Sequence, residues 1–581
     1  MSRPAESPTS TAAGQIAPSV ASNTAIKDGP ESGLTSTTAH TDPEAIDAAA
    51  PTFKRGFRFW GIMTALCAVS VMASLENSIV VTAGPAIVAD LNMGEDYIWI
   101  SNAFFLSSAA VQPLFGQLCN IFGRRWVMIA GTALFTLGSG ICGGASNGGM
   151  LIAGRAIQGA GSGGAVMLCN IILADMVPLR LRGYYLGILL SVFGIGLALG
   201  PFIGGAFADQ ATWRWAFYLN LPFGGISLAL LYFFLHVNYD KQSTWRQKLG
   251  RIDWVGNALV VLGTVAMLYA LAGAGVTHSW GSWQTLVPLL LGFLGLGLFA
   301  AWEAYNADSP YLVMPPRLFR HRTSLIVAIS TFFHWMLVYW SLYFLPIWFQ
   351  AVFLYSAERS GVGILPLSLV AIPGSMVSAM VVSRWGRFKA LHIIGETIFA
   401  VGMGLFALQN ENTTVAEWAL LQCFCAIGAG MVLDTLLPAF QAPVPESDQA
   451  SATSTWTFIR TVGGVWGVAV PATIFNNRID QLAYKISDPE ARQLMMGGGG
   501  YQHASADFVN SFAEPARGEI LDVYKQALQL VFLTAVAFGG AATVLFLFEK
   551  DVKLRKELET EYGIMDEASE KQKRDTPADN P

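Results

Sequence analysis

The segment between residues 181 and 207 constrains the fold of this chain more than any other, because its 27 residues carry no charge after Arg182. A run of this length and composition can span a lipid bilayer as a slightly tilted helix. Its second half has glycines four residues apart, which share one stripe of a helix: Gly196, Gly200 and Gly204. A stripe without side chains lets another helix approach closely, as helices do in lipid. Pro201 removes one backbone hydrogen bond and predicts a bend.

The composition of the whole chain also indicates a membrane protein with many spans. The 581 residues are 53% hydrophobic and only 13% charged, whereas soluble domains carry about 25% charged residues. We predict an all-α integral membrane protein with fourteen transmembrane helices. The predicted spans are 59–83, 98–118, 126–145, 150–174, 183–207, 215–235, 254–274, 285–302, 324–350, 359–382, 390–408, 415–437, 450–475 and 526–548.

The distribution of basic residues predicts the orientation of these spans. Five loops on one side hold fourteen Lys and Arg residues, whereas the short loops on the other side hold two, Arg214 and Arg359. Because basic loops are retained in the cytoplasm, both termini are predicted to be cytoplasmic. Loop 438–449 has no basic residue and is an exception to this pattern.

Span number and composition divide the chain into a tail, two bundles of six helices, a linker and a second tail. Ser, Thr, Ala, Pro and Gly dominate the first part, which has almost no large apolar residue and is predicted to be disordered. The predicted parts are a cytoplasmic N-tail at 1–52, an N-terminal bundle at 53–235, a linker with two extra spans at 236–323, a C-terminal bundle at 324–548 that includes an extracellular loop at 476–524, and a cytoplasmic C-tail at 549–581.

Five motifs occur in register with these spans. They are L-E-N-S-I-V-V-T-A-G-P at 75–85, G-Q-L-C-N-I-F-G-R-R at 116–125, R-A-I-Q-G-A-G at 155–161, G-x-x-x-G-P-x-x-G-G at 196–205 and W-R-W-A-F-Y-L-N-L-P at 213–222. Together they resemble the motifs of the fungal fourteen-span drug:proton antiporter group of the major facilitator superfamily. One such motif is a modest signal, but five in order are specific. The resemblance covers about residues 55–550.

The resemblance implies two bundles that alternate access to a central cavity, with the glycine-rich and arginine-rich motifs controlling the change. The matching residues are Gly116, Asn120, Gly123, Arg124, Arg125, Gly196, Gly200, Pro201 and Gly204. Asn120 stands where the family usually has Asp, so it cannot offer a charge to the arginines beside it. If that Asp latches one conformation, the latch here is expected to be weaker or built from other residues.

Ionisable residues within predicted spans are candidates for proton coupling, because inserting each costs about 2.5–3.5 kcal/mol. Glu76 is the first candidate for the proton carrier, since the resembling motif has an acid there; the alternative is a carboxylate held permanently by an arginine. Arg155 is its candidate partner, or else a structural pair for backbone carbonyls. Glu396 is a candidate second proton site or a helix-pairing residue. Asp434 is a further candidate, or an acid that reaches water at the cytoplasmic end.

An aromatic face in span nine is a candidate surface for substrate. Trp335, Tyr339 and Tyr343 are four residues apart and share a face, on which flat apolar molecules can stack. The alternative is ordinary packing or contact with lipid. Further candidates for the cavity wall are Asn77, Gln158, His334, Gln350, Trp456 and Arg460.

These features together predict a proton-coupled efflux transporter for amphipathic small organic molecules, with the substrate class implied by the resemblance. Its partners are expected to be this substrate, protons and the bilayer, and it is expected to be a monomer in the plasma membrane, or alternatively in the vacuolar membrane. One alternative is an uptake or vacuolar transporter for a siderophore or a basic amino acid. Another is a membrane sensor that does not transport.

Enzymes and nucleic-acid-binding proteins are disfavoured. The chain has no P-loop, no zinc-ligand spacing and no nucleophile elbow, so no metal or cofactor is predicted. Its net charge of −5 gives no indication of nucleic-acid binding. A G-x-G-x-x-G run at 159–164 follows no strand and lies inside an apolar span, which predicts helix packing instead of nucleotide binding.

Overall fold

The computed structural model describes residues 56–91, 93, 99–236, 244–274, 278–552 and 554. In these ranges the chain is built from helices, and β pairing is limited to one bridge between Ala274 and His278. The predicted all-α fold is therefore confirmed for the described part of the chain. The predicted N-tail and most of the C-tail lie outside these ranges.

The first six predicted spans are formed by eight helices, because two of the spans are interrupted. Val111 separates α2 from α3, and Leu219 separates α7 from α8. Gly123 ends α3 with a φ of +84°, a conformation that favours glycine. The bounds are α1 Phe57–Leu91, α2 Trp99–Ala110, α3 Gln112–Phe122, α4 Arg124–Gly143, α5 Gly148–Met176, α6 Leu179–Gln210, α7 Arg214–Tyr218 and α8 Asn220–Phe234.

The described part of the predicted linker holds three α-helices, namely α9 Trp245–Gly250, α10 Trp254–Gly273 and α11 Trp283–Tyr305, and a short 3-10 helix at Pro316–Phe319. Helices α10 and α11 pack against each other at their glycines. A β-carbon on Gly295 would lie 2.9 Å from the α-carbon of Gly263, so the two backbones touch. Helix α10 also contacts α2 and a long helix of the second bundle, α18 Gln449–Leu482.

The second bundle follows the predicted spans closely, apart from several short pieces. A π turn, Trp348–Val352, continues α12, and α17 continues the span begun by α16. The bounds are α12 Arg322–Ile347, α13 Ala357–Gly363, α14 Leu365–Trp385, α15 Lys389–Leu405, α16 Val415–Leu433, α17 Leu436–Gln441, α18 Gln449–Leu482, α19 Pro489–Met495, α20 Gly499–Gln502, α21 Ala506–Asn510 and α22 Ala516–Leu547.

Twelve helical segments among the described residues are long and apolar enough to cross a membrane. Two predicted spans are not among the twelve. One is the pair α2 and α3, which is interrupted at Val111, and the other is α6, which is 32 residues long. Helix α6 covers its whole predicted range, and α2 and α3 cover the described part of theirs apart from Val111. The count of fourteen spans stays a prediction.

The glycine stripe of α6 packs against α1. A β-carbon on Gly196 would lie 1.9 Å from Oγ of Ser74, and one on Gly200 would lie 1.8 Å from Oγ of Ser78. No side chain fits at either distance, so the predicted close approach of a second helix is confirmed at both glycines. Helix α6 continues through Pro201 to Gln210.

The G-x-G-x-x-G run on α5 packs in the same way against its neighbours. A β-carbon on Gly159 would lie 2.2 Å from the carbonyl oxygen of Phe104 on α2, and one on Gly161 would lie 2.2 Å from the backbone nitrogen of Phe135 on α4. The predicted role of this run in helix packing is therefore confirmed.

The outer connection of the second bundle lies within the predicted extracellular loop at 476–524, since α18 ends at Leu482 and α22 begins at Ala516. Helices α19, α20 and α21 lie between them. Met495 and Val509 are fully buried against the bundle, and the hydroxyl of Tyr524 donates a hydrogen bond of 3.0 Å to the carbonyl of Gly500. This connection is packed onto the helices beside it.

Helix α18 contacts α2 and α5 of the first bundle, and α17 contacts α6, but the most extensive contacts between the bundles are two, one between α6 and α14 and one between α3 and α18. Both contacts include the end of the molecule at which Arg124, Arg180 and Arg182 lie, which we call the basic end. The space between the bundles beyond these contacts holds the cavity described next.

Candidate functional site

A small cavity lies between the two bundles, beside the point where α16 ends and α17 begins. Its volume is about 70 Å³, whereas pockets for organic ligands measure about 300–1,000 Å³. The wall from the first bundle is mostly apolar and includes Phe193 of α6. The wall from the second bundle carries Trp335, Asp434, Trp456 and Arg460. The described conformer is therefore contracted around a site with two opposite charges.

Arg460 supplies the positive charge of this cavity. Its guanidinium carbon lies 3.8 Å from the ring centroid of Trp335 and 5.8 Å from that of Trp456. Trp456 is held in place because its indole N–H donates to Oγ1 of Thr331 at 3.0 Å. Arg460 forms no hydrogen bond or ion pair with another described residue. Because arginine keeps its proton in proteins, the cavity holds a permanent cation with free donors.

Asp434 supplies the negative charge. It caps the C-terminal end of α16, where the helix breaks before α17, and its side chain is 7% exposed. Its Oδ2 atom has no hydrogen-bond partner among the described residues. Helix α6 makes room for this oxygen, because a β-carbon on Gly187 would lie 3.2 Å from it. The acid and Arg460 line the same cavity, and no ion pair within 4.0 Å joins them.

Glu76 lies in a separate cluster inside the first bundle. Arg155 of α5 donates to Oε1 of Glu76, and Asn220 of α8 donates to Oε2 at 2.5 Å. Arg155 also donates to the carbonyl of Ile100 at 2.7 Å and to Oε1 of Gln158 at 2.6 Å. Glu76 is fully buried, and both of its oxygens have partners. In this conformer, Glu76 and Gln158 lie within a closed cluster and do not line the cavity.

His334 and Glu396 form a second closed cluster, inside the second bundle. Nδ1 of His334 on α12 lies 2.8 Å from Oε2 of Glu396 on α15, and both side chains are fully buried. The other nitrogen of His334 and the other oxygen of Glu396 have no partner among the described residues. The ring of Phe399 packs against His334 at 5.4 Å. The pair therefore joins two helices away from the central cavity.

The remaining aromatic candidates extend along α12 from the cavity. Tyr339 packs on Trp335 with ring centroids 6.3 Å apart, and Tyr343 stacks on Tyr339 at 6.3 Å with a 15° angle between the rings. The predicted shared face is therefore confirmed, and of the three residues Trp335 lines the cavity. Asn77 donates to the carbonyl of Ala73 in its own helix at 2.8 Å. Gln350, in the π turn, lies 3.5 Å from the hydroxyl of Ser360.

The arginine-rich motif lies at the basic end, where α3 meets α18. Asn120 donates to Oγ of Ser451 at 3.1 Å, and a β-carbon on Gly116 would lie 2.4 Å from Cβ of Ser454. The two arginines of this motif, Arg124 and Arg125, bind residues of the first bundle. Arg124 forms an ion pair of 2.6 Å with Asp175, and Arg125 donates to the carbonyl of Tyr232 at 2.7 Å.

Arginines at the start of α6 form further contacts between the bundles. Arg182 is 2% exposed and donates to Oε1 of Gln441 at 3.0 Å and to Oε1 of Gln449 at 2.7 Å. Arg180 donates to the carbonyls of Ser383 and Arg384 at the end of α14. The basic end is therefore sealed in the described conformer, with α6 contributing most of the polar contacts.

Several of these partners were missed by reasoning from the sequence alone. Asn220, Asp175, Gln441 and Gln449 are polar residues within or beside apolar segments, and each binds a residue at least 51 positions away. The sequence feature that could have identified them is a polar side chain within or beside a membrane-spanning segment. Sequence spacing carries no information about pairs that distant. No group of three or more metal-binding side chains is found in the part of the chain that the structure describes.

Residues 66–468 match the sequence profile of the Major Facilitator Superfamily. The chain belongs to this superfamily. This major facilitator is 53% identical over 522 residues to the MFS-type transporter TwmF of Talaromyces wortmannii, an alignment that covers 90% of this chain and 95% of that protein. It is 42% identical over 513 residues to the MFS efflux transporter aclA of Aspergillus oryzae, covering 88% and 92% of the two chains. It is 43% identical over 506 residues to the MFS-type efflux transporter ffsH of Aspergillus flavipes, covering 87% of each.

Solved structures support the fold of this major facilitator. The human organic anion transporter MFSD10 aligns with a TM-score of 0.54 at 14% identity, over 84% of this chain and 99% of that one. The proton:xylose symporter XylE aligns with a TM-score of 0.54 at 14% identity, over 86% and 98%. The chain is therefore a multi-pass membrane protein of a family of small-molecule transporters, and its relatives are transporters and not enzymes.

Proposed function

We propose that this major facilitator is a proton-coupled antiporter that exports amphipathic small organic molecules, such as drugs, fungal toxins or other secondary metabolites. The observation that carries the proposal is the cavity between the bundles, which is lined by one acid and one arginine, Asp434 and Arg460, beside two tryptophans. The efflux names of relatives aclA and ffsH support the direction of transport.

We further propose that the chain crosses the plasma membrane fourteen times as a monomer, with both termini in the cytoplasm. The predicted parts keep their bounds, so bundles 53–235 and 324–548 flank the two-span linker 236–323. The excess of basic residues on one side supports this orientation. In this arrangement the basic end faces the cytoplasm, and the described conformer is closed toward the cytoplasm.

The transport cycle then requires the contacts of the basic end to separate, so that the cavity widens and substrate enters from the cytoplasm. Asp434 is the acid that we propose both a proton and a substrate reach, because this residue lines the cavity and its Oδ2 atom has no hydrogen-bond partner among the described residues. Substrate enters while the acid is ionised. Protonation from outside removes the charged acceptor and releases the substrate, and the proton returns inward when the bundles rearrange.

Glu76 and Glu396 are proposed as further proton-coupling acids. Each is bound to a basic partner in the sealed conformer, Glu76 to Arg155 and Glu396 to His334. Each acid therefore exchanges a proton only when its own cluster opens during the cycle. This makes Asp434 the acid for which coupling to substrate is most direct.

The test is an efflux assay in cells that express the wild type, Asp434→Asn, Glu76→Gln or Glu396→Gln at equal protein levels. Cells are loaded with a panel of dyes and toxins, and the proton gradient is collapsed in parallel. Wild-type cells are expected to expel at least one compound, and both Asp434→Asn and gradient collapse are expected to stop its efflux. Glu411→Gln, at an exposed acid, serves as the control. Efflux that survives gradient collapse contradicts proton coupling, and accumulation of a compound in place of loss contradicts export.

A further inference from the structure

We infer that the central cavity selects neutral molecules that carry both a hydrogen-bond donor and an acceptor, and that it discriminates against organic ions of either sign. The inference rests on the proposed function in one respect, namely that the exported molecule binds in this cavity. It names a substrate class that neither the fold nor the relatives specify.

The charges on the cavity wall balance each other. Asp434 and Arg460 are the charged residues that line the cavity among those the structure describes, and they have opposite signs. An organic cation drawn to Asp434 is also brought toward Arg460, and an anion drawn to Arg460 is brought toward Asp434. Because Asp434 is only 7% exposed and Arg460 is partly buried, water screens this repulsion less than it does at the protein surface. A neutral molecule avoids it in both orientations.

Both charged groups of the cavity can still form hydrogen bonds with a ligand. Among the described residues, Oδ2 of Asp434 has no hydrogen-bond partner, and Arg460 forms no hydrogen bond. Buried polar groups that remain unpaired after a ligand excludes water weaken its binding. A molecule with an N–H or O–H group for Asp434 and a carbonyl oxygen for Arg460 satisfies both groups at once. A primary amide is the simplest group that offers both.

Aromatic rings form much of the remaining cavity wall. Trp335 and Trp456 lie on the second-bundle side, and Phe193 lies on the first-bundle side. The indole of Trp456 is fixed by its hydrogen bond to Thr331, so its orientation does not depend on a ligand. These rings favour a flat apolar body attached to the polar group. The substrate class is therefore a planar, uncharged, amide-like molecule.

The test uses four compounds with the same naphthalene ring that differ only in one substituent: a primary amide, a methyl ester, a carboxylate and an aminomethyl group, which is an ammonium at neutral pH. Binding of each compound to the purified full-length protein in lipid nanodiscs is measured by equilibrium dialysis. The amide is expected to bind at least about tenfold more tightly than either ion, and the ester, which lacks a donor, is expected to bind more weakly than the amide.

Two variants each leave the cavity wall with a single charge, and the two charges have opposite signs. Arg460→Gln leaves the acid alone and is expected to raise the affinity of the ammonium relative to the carboxylate by about tenfold or more. Asp434→Asn leaves the arginine alone and is expected to change this ratio in the opposite direction. Glu411→Gln, far from the cavity wall, is the control and is expected to keep the wild-type order. If Arg460→Gln does not fold, Asp434→Asn decides the test.

The inference is overturned if the wild type binds either ion as tightly as the amide, if none of the four compounds binds, or if Asp434→Asn leaves the ratio of ammonium to carboxylate affinity unchanged. Failure of the proposed export gives a different result. In that case the amide binds with the expected selectivity, but cells that express the wild type do not expel it.

Discussion

Arg182 is expected to hold the basic end closed, and replacing it with methionine tests this directly. Its guanidinium extends from α6 of the first bundle to Gln441 and Gln449 of the second, at 3.0 and 2.7 Å. Methionine keeps a long side chain in the space and removes every donor. Arg182→Met therefore removes two hydrogen bonds between the bundles.

The size of the effect follows from the charge on the donor. A hydrogen bond to a charged group contributes about 1.5–3 kcal/mol, which makes about 3 kcal/mol a low estimate for the two together. The low end applies because water solvates Arg182 when the bundles separate, and because the side-chain amide of Gln449 keeps its bonds to the carbonyls of Gln441 and Val444. Since about 1.4 kcal/mol corresponds to a factor of ten, the ratio of open to sealed conformers is expected to rise about 100-fold.

A native cysteine reports this change. Cys169 lines the cavity and is 2% exposed in the sealed conformer. Its reaction with N-ethylmaleimide in nanodiscs depends on the open population when opening is fast relative to labelling. The Cys169 signal is defined by subtracting the labelling of a matched Cys169→Ala protein, and its rate is expected to rise by up to about 100-fold in Arg182→Met.

Arg125→Met is the matched control, because Arg125 lies at the same end but donates to the carbonyl of Tyr232 within the first bundle. Its Cys169 labelling rate is expected to match that of the wild type. The reasoning is refuted if Arg182→Met leaves the rate unchanged, or if Arg125→Met raises it equally, since the effect then reflects general loosening and not the loss of a contact between bundles.

Two further changes test the packing of each bundle by thermal unfolding. Gly200→Val is expected to destabilise the folded protein by about 1–3 kcal/mol or more, because its β-carbon would lie 1.8 Å from Oγ of Ser78. Gly225→Val is the control, since nothing lies within 4 Å of a β-carbon at that position. Equal melting temperatures of the two variants contradict the prediction. Glu396→Met is expected to cost about 1–3 kcal/mol by leaving buried His334 without its carboxylate partner, and adding His334→Leu is expected to recover part of the loss. A double variant that melts no higher than Glu396→Met contradicts this interpretation.

The helices were predictable because apolar length is a local property of the chain. The ends of most predicted spans agree with the helix bounds within a few residues, and the close packing at Gly196 and Gly200 follows from their spacing alone. The interruption at Val111 was not predicted, since the apolar run continues across it. Helices α18 and α22 extend beyond their predicted spans into both ends of segment 476–524, because the polar sequence there packs against its neighbours.

The arrangement of the charged residues was predictable only in part. The position of Asp434 and Arg460 within predicted spans identified them as candidate functional residues. That position does not show which candidates line the same cavity. Gln158 and His334 had the same kind of signal and lie in closed clusters instead. That distinction depends on which helix faces are brought together, and therefore on contacts between residues that are tens to hundreds of positions apart in the sequence.

The asparagine at position 120 illustrates how a departure from a motif is compensated elsewhere. Asn120 makes a neutral hydrogen bond to Ser451, which is weaker than one from a charged group. Arg180 donates to the last carbonyls of α14, where a cation also interacts favourably with the helix dipole. Arg182 adds its two bonds to the second bundle. Charged side chains therefore still hold the basic end closed, but they come from α6 and not from position 120 of α3. For this reason the Arg182 variant, and not a change at Asn120, is expected to shift the balance between conformers.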